Sequence, residues 1–249
     1  FKTAFRVMTN DRQQGKVLGE YAVKNLGARR IAIIDDRTAY GQGLADEVDK
    51  AVKASGGEVI AREFTTDRST DFLAILTSIK AKKPDLVFYG GMDAQGAPMV
   101  RQLQSLGIKT KFLGGDGVQT TEFLKLAGSH ADGVTASSPG LPIDSMPGGK
   151  EFRKKFTDRF GTIQTYAPYA YDAVNVMVDA MKQADSAEPV RYLAELPRVQ
   201  RVGVTGNLSF DERGDIRGGA ITLYQAKSGK WEVLETVKGE GAPTMEKSK

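Results

Sequence analysis

Side chains that could hold a small polar ligand stand in three glycine-rich segments of this 249-residue chain. The segments are "TAYGQG" (38–43), "GGMDAQG" (90–96) and "GGDGV" (114–118). They present Tyr40, Met92, Asp93 and Asp116. An aromatic ring and a thioether suit an apolar side chain, and a carboxylate pairs with an ammonium group through a charge-assisted hydrogen bond. Together these residue types favour a zwitterion or an amine as the ligand.

Each of these segments lies at the carboxyl end of a predicted strand or just after it. The three strands are "RRIAIIDD" (29–36), "PDLVFYGG" (84–91) and "KFLGGDG" (111–117). Ligands of parallel α/β sheets bind beyond the carboxyl ends of the strands, so we expect the four side chains to lie around one cleft. Taken singly, "YGQG" and "GGDG" are typical of ordinary turns. The dinucleotide fingerprint G-x-G-x-x-G is absent, because Gly41 and Gly43 are followed by Asp46 at the third glycine position.

The hydrophobic pattern up to residue 138 alternates between short apolar runs and amphipathic stretches. It predicts strands at 29–36, 57–65, 84–91, 111–117 and 133–138. It predicts helices at 43–54, 70–83, 96–107 and 120–128. Buried strands separated by helices indicate βαβ units, and therefore an α/β fold whose parallel sheet is covered on both faces.

The pattern changes after Pro139. Residues 137–149 are rich in proline and glycine and predict a linker or crossing segment. Helices are predicted at 150–160 and 169–184, the first carrying a stripe of Phe152, Phe156 and Phe160 whose spacing predicts a core-facing helix face. The segments 202–215 and 220–235 predict antiparallel strands, the latter with a Ser-Gly turn, and a polar tail follows from 238.

Composition argues against several classes of chemistry. The chain has no cysteine, which excludes disulfides and thiolate ligands, and its one histidine, His130, stands in the turn-like segment "AGSHADG". A Ser-His-Asp triad or a zinc site is therefore not expected, and neither are a cofactor or a catalytic residue. Lysine and arginine are scattered among acidic residues at a net charge of +4, which favours a solvated surface over nucleic-acid binding.

Five segments in chain order carry a family pattern that spans nearly the whole chain. They are "FRVMTNDRQQG", "RIAIIDDRTAYGQGLAD", "PDLVFYGGMDAQGAPMVRQLQSLGIKTKFLGGDGV", "YAPYAYDAV" and "LSFDERGDIRGGAITLYQ". In these segments the chain resembles the branched-chain amino acid (leucine/isoleucine/valine) binding proteins of bacterial ABC transporters. That family has the type I periplasmic binding protein fold.

The resemblance implies two doubly wound, Rossmann-like lobes that are joined by crossing segments and hold the ligand between them. It assigns residues 11–137 plus 222–249 to the second lobe. It assigns residues 1–10 plus 138–221 to the remaining part of the first lobe. Family members begin with a further segment that completes the first lobe, so the resemblance implies an incomplete first lobe here. We expect the missing part to come from a separate peptide or from a second copy.

The resemblance also assigns four ligand-binding residues. Tyr40 falls on the aromatic contact of the second lobe, and Asp116 falls on the acidic residue that holds the ligand ammonium. Tyr166 of "TYAPYAYDA" falls on an aromatic position that covers the ligand from the first lobe. Met92 stands where several relatives carry tyrosine, so the preference among apolar amino acids stays open.

The function implied by the resemblance is that of a non-enzymatic, periplasmic solute-binding protein. It would capture a branched-chain or related apolar amino acid and deliver it to an inner-membrane ABC permease. One alternative is a sensor or regulator of the same fold that binds an amide or another small ligand. A second is an α/β enzyme that uses Asp93 and Asp116, and a third is the core of a transcriptional repressor that would need a further DNA-binding segment.

Overall fold

The structure, a computed structural model, describes residues 3–163 and 165–239. These residues form two compact units. Unit 1 contains the described residues of 3–10, 139–221 and 238–239, and unit 2 contains 11–138 and 222–237. The predicted second lobe included residues 222–249. In the structure, Lys238 and Gly239 group with unit 1 instead. The polar tail from residue 240 lies outside the described residues.

Helices and strands alternate along most of the chain. The α-helices are α1 (Asp11–Lys24), α2 (Ala39–Ala54), α3 (Leu73–Ala81), α4 (Asp93–Ser105), α5 (Thr121–Ala127), α6 (Gly149–Phe160), α7 (Ala167–Gln183) and α8 (Pro189–Tyr192). The strands are β1 (Arg30–Asp35), β2 (Glu58–Phe64), β3 (Leu86–Gly90), β4 (Lys111–Gly114), β5 (Thr135–Pro139), β6 (Arg201–Val202), β7 (Asn207–Leu208), β8 (Ala220–Lys227) and β9 (Lys230–Lys238). Among the described residues, no helix is both long enough and apolar enough to cross a membrane.

Unit 2 is organised by a seven-stranded sheet with the order β2-β1-β3-β4-β5-β8-β9. The strands from β1 to β5 pair in parallel. β8 runs antiparallel to β5. At one end, the N–H of Ala226 donates to the carbonyl oxygen of Val134 and the N–H of Gly133 donates to that of Ala226. At the other end, the N–H of Gly140 donates to the carbonyl oxygen of Ala220. Ser228 and Gly229 join β8 to β9 with φ angles of 50° and 73°, the left-handed conformations that a two-residue hairpin needs.

The core of unit 2 fits the parallel pairing of β1 to β5. Consecutive residues Ile33 and Ile34 of β1 are both fully buried although they point to opposite faces, and every residue of β3 is buried. Such strands require helices on both faces of the sheet. The five strands and four helices predicted up to residue 138 are all present, which confirms the α/β prediction.

Within unit 2, two helices begin earlier than predicted. α2 starts at Ala39 instead of Gly43, because the Thr38 hydroxyl oxygen accepts the N–H of Gly41 at 3.0 Å and caps the helix. α4 starts at Asp93 instead of Gly96. Tyr40 therefore lies in the first turn of α2, whereas the predicted helix began at Gly43.

The sequence reasoning missed α1 altogether. Gly15 and Gly19 weaken its helix propensity by about 1 kcal/mol each relative to alanine. Both glycines serve close packing against α2: a Cβ atom on Gly15 would lie 2.5 Å from the Cβ of Glu47, and one on Gly19 would lie 2.5 Å from the Cβ of Ala51.

Unit 1 has its own small core, in which Val176 and Ala180 of α7 pack with Leu208 and Phe210. The antiparallel strands predicted over 202–215 are present but short, since they consist of the pair β6 and β7 and an isolated bridge between Phe210 and Ile216. The fully buried Asp172 holds the intervening turn. Its carboxylate accepts the backbone N–H groups of Val204 at 2.9 Å and Thr205 at 2.8 Å.

The phenylalanine stripe of α6 is only partly buried. Phe152, Phe156 and Phe160 follow one another with ring centroids 5.7 and 5.2 Å apart. Phe152 also packs on Tyr171 of α7 at 5.3 Å, and Phe152 and Phe156 are half-buried, whereas Phe160 is 66% exposed. The prediction of a core-facing stripe was therefore wrong for Phe160.

Candidate functional site

Asp116 lies at the centre of a hydrogen-bonded cluster within unit 2. It follows β4, and its Oδ1 atom accepts a hydrogen bond from the Tyr40 hydroxyl at 2.9 Å. The same oxygen accepts a second bond from the Gln14 side-chain amide at 2.8 Å. The fold thus brings together Tyr40 and Asp116, which are 76 residues apart in the chain.

The position of Tyr40 is determined by more than its bond to Asp116. Its hydroxyl oxygen also accepts the backbone N–H of Gly117 at 3.2 Å. Since the hydroxyl both donates to a carboxylate and accepts from the backbone, the ring has one preferred orientation at the start of α2. This arrangement is more specific than an ordinary turn would require.

The glycines around Tyr40 allow close backbone contact. A Cβ atom on Gly41 would lie 2.5 Å from the carbonyl oxygen of Gly90, whereas one on Gly43 would meet nothing within 4 Å. A Cβ on Gly115 would lie 2.6 Å from the Tyr40 hydroxyl oxygen. Gly41 and Gly115 are therefore required by packing, and Gly43 is not.

Met92 lies beside the same cluster. It directly precedes α4, and its side chain is 49% exposed. A Cβ atom on Gly117 would lie 2.7 Å from Met92 Sδ and 3.3 Å from Tyr40 Cε1, so the thioether and the ring meet at this glycine. Together they form an apolar and aromatic wall next to the Asp116 carboxylate.

Asp93, the other predicted carboxylate, forms hydrogen bonds with other residues of unit 2. Its Oδ1 accepts the N–H of Ala94 at 2.8 Å and its Oδ2 accepts the Thr120 hydroxyl at 2.6 Å. A carboxylate in the first turn of a helix also interacts favourably with the helix dipole. These contacts make Asp93 part of the start of α4.

Gln14 is the residue that the sequence reasoning missed. It lies on α1 and is only 4% exposed, and its Nε2 atom donates to the Ser137 hydroxyl oxygen at 3.0 Å as well as to Asp116. A signal was present, because Gln14 shares one helical face with the buried Val17 and Leu18. A polar residue on an apolar helix face needs a buried partner.

Two buried aspartates end β1 and support the start of α2. Asp36 Oδ1 accepts both the N–H and the hydroxyl of Thr38, at 2.9 and 2.6 Å. Thr38 in turn caps the helix that carries Tyr40. Asp35 forms an ion pair with Arg62 at 2.9 Å, which compensates for the burial of its charge.

Two buried oxygen atoms, Tyr89 Oη and Asp36 Oδ2, lie near Gly91. Neither Tyr89 Oη nor Asp36 Oδ2 has a hydrogen-bond partner among the described residues. Burial, followed by the negative charge of Asp36, raises the pKa of Tyr89 above its usual range. Both atoms border Gly91, whose Cβ would lie 2.2 Å from the hydroxyl and 3.0 Å from the carboxylate oxygen.

Tyr166 belongs to unit 1, whereas Tyr40, Met92 and Asp116 belong to unit 2. It directly precedes α7 and is 43% exposed. Its side chain lines a cavity of about 540 Å³ within unit 1, together with Phe5 and other apolar residues.

Metal-ion binding and histidine chemistry depend on which side chains the fold groups together in the described ranges. No group of three or more histidine, cysteine, aspartate or glutamate side chains there could hold a metal ion. His130 lies in a 3₁₀ turn, with its Nδ1 3.2 Å from the carbonyl oxygen of Ala127. The hydrogen-bonded Asp116 cluster and the contacts of Asp35 and Asp36 are polar features at the carboxyl edge of the parallel strands.

Comparison with known proteins places this arrangement in a family. The sequence profile described as "Periplasmic binding protein" matches residues 1–230. The chain belongs to this family. A Leu/Ile/Val-binding protein homolog 1 of Brucella suis is 32% identical over 229 residues, which cover 92% of this chain and 60% of the relative. The Leu/Ile/Val-binding protein BraC3 of Rhizobium johnstonii is 31% identical, over 90% of this chain and 62% of its own length.

Solved structures agree with this membership. The leucine binding protein LivK of Thermotoga maritima superposes with a TM-score of 0.88 at 26% identity, over 95% of this chain and 68% of that protein. LivJ of Streptococcus pneumoniae, in complex with isoleucine, gives 0.80 at 26% identity, over 92% and 66%. The resemblance and the type I fold inferred from the sequence are thereby confirmed. The chain spans about 60% of the length of the first curated relatives that it matches.

Proposed function

We propose that this member of the periplasmic binding protein family captures a branched-chain or related apolar amino acid outside the cytoplasm and delivers it to an ABC permease. The observation that carries the proposal is the Asp116 carboxylate, which Gln14 and Tyr40 hold at the carboxyl edge of a parallel sheet. Relatives named Leu/Ile/Val-binding proteins support the class of ligand.

Each proposed ligand contact has a distinct role. Asp116 pairs with the ligand ammonium, and Tyr40 and Met92 line the apolar side chain. Tyr166 contributes a second aromatic surface from unit 1. Units 1 and 2 act as the two lobes, and the ligand shifts the equilibrium between an open and a closed state toward the closed state. The closed form then docks on the inner-membrane permease from the periplasm.

We also propose that further polypeptide, either a separate peptide or a second copy of the chain, covers apolar surface of unit 1. The support is the apolar surface that unit 1 leaves exposed, including Tyr171, Val174 and Met177 of α7. Intact-mass analysis combined with sedimentation tests the proposal. A folded, monomeric sample that contains only this chain would contradict it.

Calorimetry with the purified protein of known intact mass tests the ligand. Leucine, isoleucine, valine, phenylalanine and acetamide are titrated in turn, and at least one branched-chain amino acid is expected to bind. Asp116→Asn is expected to weaken that binding about 10- to 100-fold, because a charge-assisted hydrogen bond is lost. Asp93→Asn is the matched control, since it removes one negative charge from the same sheet edge and should leave affinity within about twofold.

The results separate the proposal from its alternatives. If acetamide binds while the amino acids do not, and Asp116→Asn changes nothing, the protein is a sensor or regulator of small neutral ligands. The decisive sample contains this chain together with the further polypeptide that covers unit 1. If leucine, isoleucine, valine and phenylalanine all fail to bind to that sample, the proposed function is wrong.

A further inference from the structure

We propose that Gln14 is a positioning residue for ligand binding. Its buried amide, anchored on Ser137, holds the Asp116 carboxylate in the orientation that receives the ligand ammonium. The inference rests on the proposed function where it concerns the ligand. Its structural half, that Gln14 orients Asp116, stands on the geometry of unit 2 alone.

The amide of Gln14 has no freedom to move. One Nε2 atom donates to Asp116 Oδ1 at 2.8 Å and to Ser137 Oγ at 3.0 Å, so both amide hydrogens are used. Gln14 is 4% exposed and Ser137 is fully buried, so water has little access to these bonds. A hydrogen bond in such a place is stronger and more directional than one on the surface.

The orientation of Asp116 depends on elements far from it in sequence. Its Oδ1 receives one donor from α1, Gln14, and one from α2, Tyr40. Ser137 of β5 fixes the first of these donors. With two donors on one oxygen, the carboxylate cannot rotate about its Cβ–Cγ bond without breaking both. Such preorganisation lowers the entropy that ligand binding would otherwise cost.

The residue type at position 14 fits this role. A neutral amide donates a hydrogen bond without placing a positive charge beside the Asp116 carboxylate. A lysine or arginine at this place would form an ion pair with Asp116 and compete with the ammonium. Gln14 therefore orients the carboxylate without forming an ion pair with it.

The test compares two glutamine variants in unit 2. Gln14→Met keeps a similar volume but removes both donors. Gln95→Met is the matched control, because Gln95 is also a buried helical amide, at 9% exposure, and its Nε2 donates to the carbonyl oxygen of Asp67. Both variants are titrated with leucine and with 4-methylpentanoate, which has the carbon skeleton of leucine but no amino group.

A positioning role requires a selective effect. Gln14→Met is expected to weaken leucine binding about tenfold, to leave 4-methylpentanoate unchanged, and to add nothing in an Asp116→Asn background. Gln95→Met should affect both ligands equally or not at all. Equal effects of the two variants, or an undiminished effect of Gln14→Met in the Asp116→Asn background, would overturn the proposal.

A ligand-independent measurement keeps the structural half testable on its own. In a crystal structure of Gln14→Met, the Asp116 carboxylate is expected to rotate away from its bond with Tyr40. A carboxylate that keeps its position would overturn the inference even if leucine binds. Failure of the unmodified protein to bind any amino acid would count against the proposed function, and the crystal structure would still decide the role of Gln14.

Discussion

Gly117 shapes the candidate site through the side chain that it lacks. A Cβ atom there would lie 2.6 Å from the carbonyl oxygen of Gly91 and 2.7 Å from Met92 Sδ. The first of these neighbours is backbone and cannot move at little cost. The glycine therefore keeps the segments after β3 and β4 close enough for Met92 and Tyr40 to meet.

Gly117→Ala is accordingly expected to lower the free energy of unfolding by about 1–3 kcal/mol through overpacking. Gly43→Ala is the control, because a Cβ there meets nothing within 4 Å and lies within a helix. It should raise stability by about 0.5–1 kcal/mol. Urea denaturation followed by circular dichroism measures both, and a neutral Gly117→Ala would show that the two segments can separate freely.

Tyr89 gives a second prediction at the scale of one residue. Its buried hydroxyl has no partner in the described ranges, so Tyr89→Phe should leave the free energy of unfolding unchanged or raise it by up to about 1 kcal/mol. The hydroxyl of Tyr169 is also buried but donates to the carbonyl oxygen of Pro139 at 2.8 Å. Tyr169→Phe should therefore lower stability by about 1 kcal/mol. If Tyr89→Phe costs as much as Tyr169→Phe, the Tyr89 hydroxyl has a partner after all.

At the scale of elements, α1 is the helix that connects packing with the site. Its two glycines let it approach α2 closely, and that approach places Gln14 beside Asp116. Both α1 and α2 thereby contribute one donor to the same carboxylate oxygen. A change in the spacing between these helices should therefore alter the hydrogen bonds to Asp116 at the candidate ligand site.

Gly19→Ala tests this spacing. The added methyl group would lie 2.5 Å from the Cβ of Ala51, so stability is expected to fall by about 1–3 kcal/mol although alanine is the better helix former. Leucine affinity should fall as well, because Gln14 moves with α1. Lys16→Ala changes an exposed position of the same helix and should stay within about 0.5 kcal/mol. Calorimetry and urea denaturation check both effects, and intact affinity in Gly19→Ala would separate the site from the helix contact.

For the whole molecule, acid stability rests partly on one aspartate in each unit. The backbone N–H groups of Arg29 and Arg30 lower the pKa of Asp85 in unit 2. The N–H of Asp215, and then that of Arg213, lower the pKa of Asp211 in unit 1. A carboxyl group whose pKa is lower in the folded state contributes stability above its unfolded pKa, and that contribution is lost as the pH falls through the folded value.

Asp85→Asn is therefore expected to flatten the decline of the unfolding free energy below about pH 4. The one tryptophan of the chain, Trp231, packs on Phe123 in unit 2, so its fluorescence follows the unfolding of that unit. Asp211→Asn should have the same effect on unit 1, measured by circular dichroism. If the free energy of unfolding declines with falling pH in either variant as it does in the unmodified protein, the backbone donors do not lower the pKa of that carboxyl group in the folded state.

Much of the fold could be predicted from local patterns. Continuous apolar runs such as "RIAIID" identify buried parallel strands, and the glycine-rich segments after them identify the sheet edge where Tyr40 and Asp116 meet. α1 could not be predicted, and neither could the shortness of the strands within 202–215. The packing of Gly15 and Gly19 against α2, and the carboxylate of Asp172, act across distances in sequence that periodicity does not report.

The sequence by itself determined the α/β class, the family and the positions of Tyr40, Met92 and Asp116 at strand ends, because each follows from contiguous residues. Only the tertiary structure decided that Gln14 joins Asp116, since 102 residues separate the two and their contact depends on α1 lying against the sheet. It also decided that Phe160 of the α6 stripe stays exposed. Periodicity marks an apolar face, but burial depends on whether another element is there to cover it.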